Sequence, residues 1–141
     1  MATIETIYLG ELRTEATHVL SGTKLLTDAP IDNQGRGESF SPTDLVAAAL
    51  GSCMITIMGM AARTHGFNIE GTRLSITKIM TQEPPRKIAE IVIHLDFPLD
   101  YPDKVKKIID FTVKNCPVAL SLHPDLKQTV TVTYPADRTS M

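Results

Sequence analysis

Cys53 and Cys116 are the residues of this chain best able to do chemistry. They lie far apart in sequence and neither belongs to a Cys-x-x-Cys. His18, His65, His94 and His123 are scattered, so no metal-ligand spacing is present and neither a metal nor another cofactor is expected. Composition alone also fits two small buried hydrophobes. Placement adds more. Pro117 directly after Cys116 puts the cysteine at the N-cap of a new short helix, where the helix dipole would stabilise a thiolate. Cys53 falls in the middle of a long helix and needs a cation brought to it by tertiary structure. Arg36, in the Gly-Arg-Gly of the preceding loop, is the candidate, although a solvated loop arginine is the plain alternative. Arg63 stands ten residues along the same helix, roughly 15 Å away. Glu38 and Asp44 read as loop and cap residues unless one of them orients an arginine. A Cys–His hydrolase built on His123 or His65 is a further reading of the same residues.

The element that must hold Cys53 is the stretch from Ser41 to Gly66. Ser41 is an N-cap, Pro42 suits the first helical position, and Asp44 sits three residues after the cap, near the positive helix end. Gly66 is a C-terminal stop. No charged side chain occurs between Leu45 and Ala62, and a helix apolar on every side must be buried on every side. So small an α+β domain cannot cover it alone, so part of its surface is expected to meet a second copy of the chain. Cys116 lies on the apolar stripe Val105, Ile108, Ile109, Thr112, Val113, Cys116 of a second helix that opens at Pro102-Asp103. Its stripe is the face available to pack against the first helix.

Strands frame these helices. Residues 3–9, 12–20 and 24–28 read as an antiparallel meander, and residues 29–40 as a loop running into the long helix. A hairpin follows, with Leu74, Ile76 and Met80 on one face, and Ile91, Ile93, Leu95 and Phe97 alternating with polar positions. Thr129–Tyr134 makes a last strand. The order is β-β-β-α-β-β-α-β, an α+β fold, in one domain spanning residues 1–141.

The chain has 141 residues and a formal charge of −2, with no basic footprint for nucleic acid or an anionic membrane. The uncharged run is long enough to raise a membrane span, but it is rich in Ala, Gly, Ser and Thr, capped as a soluble helix, and lacks flanking Lys/Arg bias. A buried core helix is the expectation. With no secretory signal and two cysteines, a reducing cytoplasmic setting is expected.

The sequence Ser-Pro-Thr-Asp-Leu-Val-Ala-Ala-Ala-Leu-Gly-Ser-Cys, followed much later by Asn-Cys-Pro-Val-Ala-Leu-Ser-Leu, resembles the paired cysteine motifs of the OsmC/Ohr family. The element order matches that family over nearly the whole chain. The resemblance implies an intertwined homodimer with the long helices buried at its centre. It also implies thiol-dependent reduction of organic hydroperoxides, in which Cys53 attacks and Cys116 resolves, and a dithiol reductant such as a lipoylated protein. The best-known peroxidases of the family have Asn-Pro-Glu where this chain has Ser41-Pro42-Thr43, so the arginine-orienting glutamate is replaced by Thr43, which cannot form that ion pair. Asp44 is one residue on, about 100° round the helix; Glu38 would serve if the loop folds back. The leading expectation is therefore a thiol peroxidase using Cys53, Arg36 and Cys116. The alternative is a non-catalytic binding or redox-sensing domain that keeps the thiols.

Overall fold

The computed structural model describes residues 1–139 and divides into two compact units, one ending at Val46 and the other beginning at Ala47. In the first, β1 (Ile4–Gly10), β2 (Arg13–His18) and β3 (Lys24–Asp28) form an antiparallel sheet in sequence order. The β1–β2 turn holds Glu11 and Leu12 at φ 54° and 63°, the left-handed region that two-residue hairpin turns require. The following loop is more ordered than its composition suggests. It contains one 3₁₀ turn at Ile31–Asn33 and folds back so that Asp28 N donates to Phe40 O at 3.0 Å. Gly35 N donates to Pro30 O at 2.9 Å and Gly37 N to Ala29 O at 3.2 Å. A Cβ on Gly35 would lie 1.7 Å from the Ala29 carbonyl oxygen, so only glycine closes this loop. The buried residues of this unit, Thr27, Asp28 and Ser41, are all polar. Ile4, Ile7, Tyr8 and Leu9 on β1 are each more than half exposed, so the sheet has no apolar core of its own.

Helix α1 (Pro42–His65) starts in the first unit and continues in the second. Its start is a reciprocal cap: Asp44 N donates to Ser41 Oγ, and Ser41 N to an Asp44 carboxylate oxygen, both at 3.0 Å. At the other end Gly66, at φ 76°, donates to Ala62 O. The second unit adds β4 (Arg73–Met80), β5 (Ile88–Asp96), α2 (Asp103–Lys114), α3 (Pro117–Ser121), β6 (Lys127–Thr133) and α4 (Pro135–Thr139). Its sheet runs β4-β5-β6, with β4–β5 antiparallel and β5–β6 parallel. Ile91, Ile93 and Leu95 on β5 are fully buried, worth about 2 kcal/mol apiece. Leu95 stands opposite Leu74 and Ile93 opposite Ile76, so the face expected from alternation is the one that packs. α1 lies against it, because a Cβ on Gly51 would stand 2.5 Å from Ile76 Cδ1.

Burial of α1 on all sides is not found within one chain. Only the stripe Ala47, Leu50, Gly51, Met54, Met58 and Ala62 is buried, at the spacing of a single helix face. By length and hydropathy alone α1 would cross a bilayer, yet its buried stripe packs on β4. Ala49, Ser52, Thr56 and Met60 form an exposed second stripe. α4 was not expected; Pro135 opens it and Asp137 accepts from Tyr134 N at 2.8 Å.

Candidate functional site

The second unit brings Cys53 and Cys116 together. Cys53 projects from the middle of α1, one position before the fully buried Met54, and is itself partly exposed. α2 carries the chain past its buried Ile109 and Thr112 and ends at Asn115, whose N–H bonds to Thr112 O at 3.3 Å. Pro117 cannot continue that helix and instead starts α3, leaving Cys116 extended at φ −73°, ψ 142° as its N-cap. There Cys116 is fully buried, its Sγ accepts from Ala119 N at 3.3 Å, and the Cys53 thiol is its neighbouring titratable group. Both cysteines are free.

Electrostatics at Cys116 differ from the sequence expectation. The N-cap position was expected to stabilise a thiolate, and the Ala119 N–H does pull in that direction. Burial opposes it and wins, pushing the Cys116 thiol above the ordinary range, with the neighbouring Cys53 adding in the same sense. A five-residue helix contributes less than full removal from water costs. Cys116 is therefore a neutral thiol at rest. A cleft of about 530 Å³ lies beside this region, lined by Met54 of α1, Val113 and Lys114 of α2, and Gln128, Val130 and Val132 of β6.

The charged candidates sit in the first unit. Arg36 is 60% exposed and its nearest carboxylate is Glu11, at 3.9 Å. Glu38 does hold an arginine, but it is Arg13: Arg13 Nη2 is 2.6 Å from Glu38 Oε2 and 3.2 Å from Asp28 Oδ2. The Glu38 backbone N–H also donates to Asp28 at 3.1 Å. That N–H, with Arg13, holds the Asp28 carboxyl below the usual carboxylate range despite burial. Asp28 and Glu38 in turn raise the Arg13 guanidinium, keeping it charged. Arg13 Nε and Asp28 Oδ1 are buried without a hydrogen-bond partner among the described residues. Arg13 lies within the 12–20 stretch expected as a strand, and nothing local in the sequence marks it. The signal that would have marked it is the meander itself, which sets Arg13 opposite Asp28. Asp44 and Thr43 belong to the helix start, where Thr43 Oγ1 lies 3.2 Å from Ser41 Oγ.

His94 and His123 have partners other than the thiols. His94 bonds Thr131 at 2.7 Å and Thr133 at 3.0 Å, and His123 Nδ1 accepts from Asp125 N at 3.0 Å. Among the described residues no cluster of three potential metal ligands occurs.

Comparison with known proteins places this arrangement. The profile of the OsmC-like protein family matches residues 35–131. A protein from Psychrobacter arcticus 273-4, provisionally assigned to osmotic stress induction and the detoxification response, is 47% identical. The match covers 94% of this chain and 96% of that one, with a TM-score of 0.90. An OsmC-like protein from Mycoplasma pneumoniae is 21% identical over 93% of this chain and 94% of that one, with a TM-score of 0.76. An organic hydroperoxide resistance protein OsmC from Legionella pneumophila is 14% identical over 94% and 98%, with a TM-score of 0.73. At these identities the latter two show a shared fold. No curated protein matches the chain. With more than half its length matched by the family profile, and both cysteines inside the matched region, the chain belongs to the OsmC-like protein family.

Proposed function

We propose that this chain is a thiol peroxidase that reduces organic hydroperoxides in stress defence, with Cys53 as the attacking and Cys116 as the resolving residue. The observation that carries the reading is that two free thiols, one partly exposed on α1 and one fully buried at the N-cap of α3, are neighbours in the second unit. Family membership and the stress and hydroperoxide-resistance names of the similar structures support the same direction. The Cys53 thiolate attacks the O–O bond. An S–O bond forms, the alkoxide leaves and takes a proton to become the alcohol, and the sulfur is oxidised to sulfenic acid. Cys116 then attacks that sulfur, the S–S bond forms, and hydroxide leaves as water. A dithiol, free or carried as a lipoyl group on a protein, returns two electrons and restores both thiols.

Arg36 is the sequence's candidate for the cation that supports Cys53. Arg13 is the guanidinium that the first unit holds in a fixed pose. Comparing Arg36→Ala and Arg13→Ala for the pH at which Cys53 alkylates assigns the role, with an upward shift of roughly 1–2 units marking the residue that matters. We also propose a homodimer, because the exposed stripe of α1 and the uncovered β1 face are more than one chain covers. The cytoplasm, where unpaired thiols persist, is the proposed compartment.

Steady-state peroxide consumption tests the proposal. With a small dithiol, an alkyl hydroperoxide should be turned over faster than hydrogen peroxide, and Cys53→Ser should abolish both. One round of thiol oxidation followed by a stall would instead identify a sensing domain.

A further inference from the structure

Gln128 is a polar side chain that ties the second sheet to the short helix behind Cys116. It stands on β6, in register with Ile91 of β5, and reaches across so that its Nε2 donates to Ala119 O at 3.0 Å. Ala119 is also the residue whose N–H donates to Cys116 Sγ at 3.3 Å. The two bonds act on one residue from opposite ends, the carbonyl held by the sheet and the amide aimed at sulfur. α3 spans only Pro117–Ser121, too short to be stable by its own hydrogen bonds. Among the described residues its other hydrogen bonds are local: Leu120 N to Cys116 O at 3.1 Å, and Ser121 Oγ to Pro117 O at 2.7 Å. Those bonds travel with the helix, so they cannot fix its orientation relative to α1. Gln128 can.

We propose that Gln128 is a positioning residue for the resolving step: by holding the Ala119 carbonyl it keeps the Ala119 N–H on Cys116 Sγ and the sulfur directed at Cys53. The inference rests on the peroxidase reading for its step, and on two hydrogen bonds for its geometry. When Cys116 gives up its proton to attack the sulfenic sulfur, charge develops on a sulfur removed from water. A fixed N–H donor is then worth more than in the resting thiol. Burial already opposes that charge, so Cys116 depends on this donor more than an exposed cysteine would. Gln128 also lines the cleft beside Met54, so its amide lies on the same side of the unit as the residue next to Cys53.

The test uses the full-length reduced protein mixed with one equivalent of cumene hydroperoxide, with sulfenic acid and disulfide followed as separate phases. Gln128→Leu keeps the volume and removes the donor. The disulfide phase should slow by about tenfold, the loss expected for one hydrogen bond to a charged group, while the sulfenic phase is unchanged. Gln128→Glu is nearly isosteric and cannot donate when ionised. It should be slow at pH 7 and recover towards wild type, relative to wild type at each pH, as the carboxyl protonates. In a Cys53→Ser background, Gln128→Leu should also move the alkylation profile of Cys116 to higher pH. A disulfide phase unchanged in both variants overturns the proposal. So does a uniform slowing of both phases that follows a loss of thermal stability and is not relieved at low pH in Gln128→Glu. If the wild type makes no disulfide at all, the peroxidase reading fails, and the Cys116 alkylation profile still decides the role of Gln128.

Discussion

Cys116 has two separable jobs, and a pair of substitutions at that position tells them apart. As a cap, its sulfur accepts the Ala119 N–H; as a thiol, it neighbours Cys53. Cys116→Ala removes both. Loss of the cap costs about 1 kcal/mol, and withdrawal of a buried sulfur of some 40 Å² costs about 1 more, for a total near 2 kcal/mol. In a chain of 141 residues that corresponds to a fall in Tm of about 4–8 °C at fixed protein concentration. Cys116→Ser keeps the cap, since serine is among the best N-cap residues, and its hydroxyl inherits the Ala119 donor and the Cys53 neighbour. Its cost should stay below about 1 kcal/mol. The chemistry should not follow the same order. Both variants lack the proposed resolving thiol, so on the peroxidase reading both should leave Cys53 to pass from sulfenic to sulfinic acid under excess hydroperoxide. Urea unfolding of the reduced proteins measures the first effect and intact mass the second. Equal stability of the two variants would remove the cap from the account. A Cys53 that stops at sulfenic acid in both would show that Cys116 is not what normally intercepts it.

Three further perturbations address the frame around the site. Gly35→Ala should destabilise the loop that carries Arg36 and Glu38 by about 2–4 kcal/mol, because the new methyl meets the Ala29 carbonyl and must break the two backbone bonds that close the turn; a change below about 0.5 kcal/mol in urea melts would contradict it. Asp28 has a lowered pKa, so its contribution to stability is present above the ordinary carboxylate value of about 3.9 and is lost as pH falls through the lower folded value. Asp28→Asn should accordingly flatten the acid limb of a stability–pH curve. Burial, with Asp110 next, pushes the Tyr134 phenol up to about 12. The folded state thus holds its proton longer than the unfolded chain, and stability should fall as pH rises from about 10 towards 12, a loss that Tyr134→Phe should remove.

Local signals in the sequence were enough for the elements that hold the thiols. Ser41-Pro42 and Gly66 bound α1, Pro117 after Cys116 sets the break between α2 and α3, and period-two alternation picks the buried face of β5. What escaped depends on distant partners. Nothing near Lys127–Thr133 encodes its parallel pairing with β5, because parallel register is fixed by packing across a long connection. Arg13 looked like any alternating strand residue until β3 and the loop brought Asp28 and Glu38 to it, from 15 and 25 residues away. Gln128 was invisible for the same reason, since its partner is a backbone carbonyl. Cys116 shows the limit of a correct local reading: the cap is there, but burial outweighs it.

The most direct measurement is peptide mapping of the fully reduced protein after a single equivalent of an organic hydroperoxide. The account predicts one intramolecular disulfide joining Cys53 to Cys116, formed without sulfinic acid. Two free thiols in the recovered protein, or a bond found only between subunits, would contradict it.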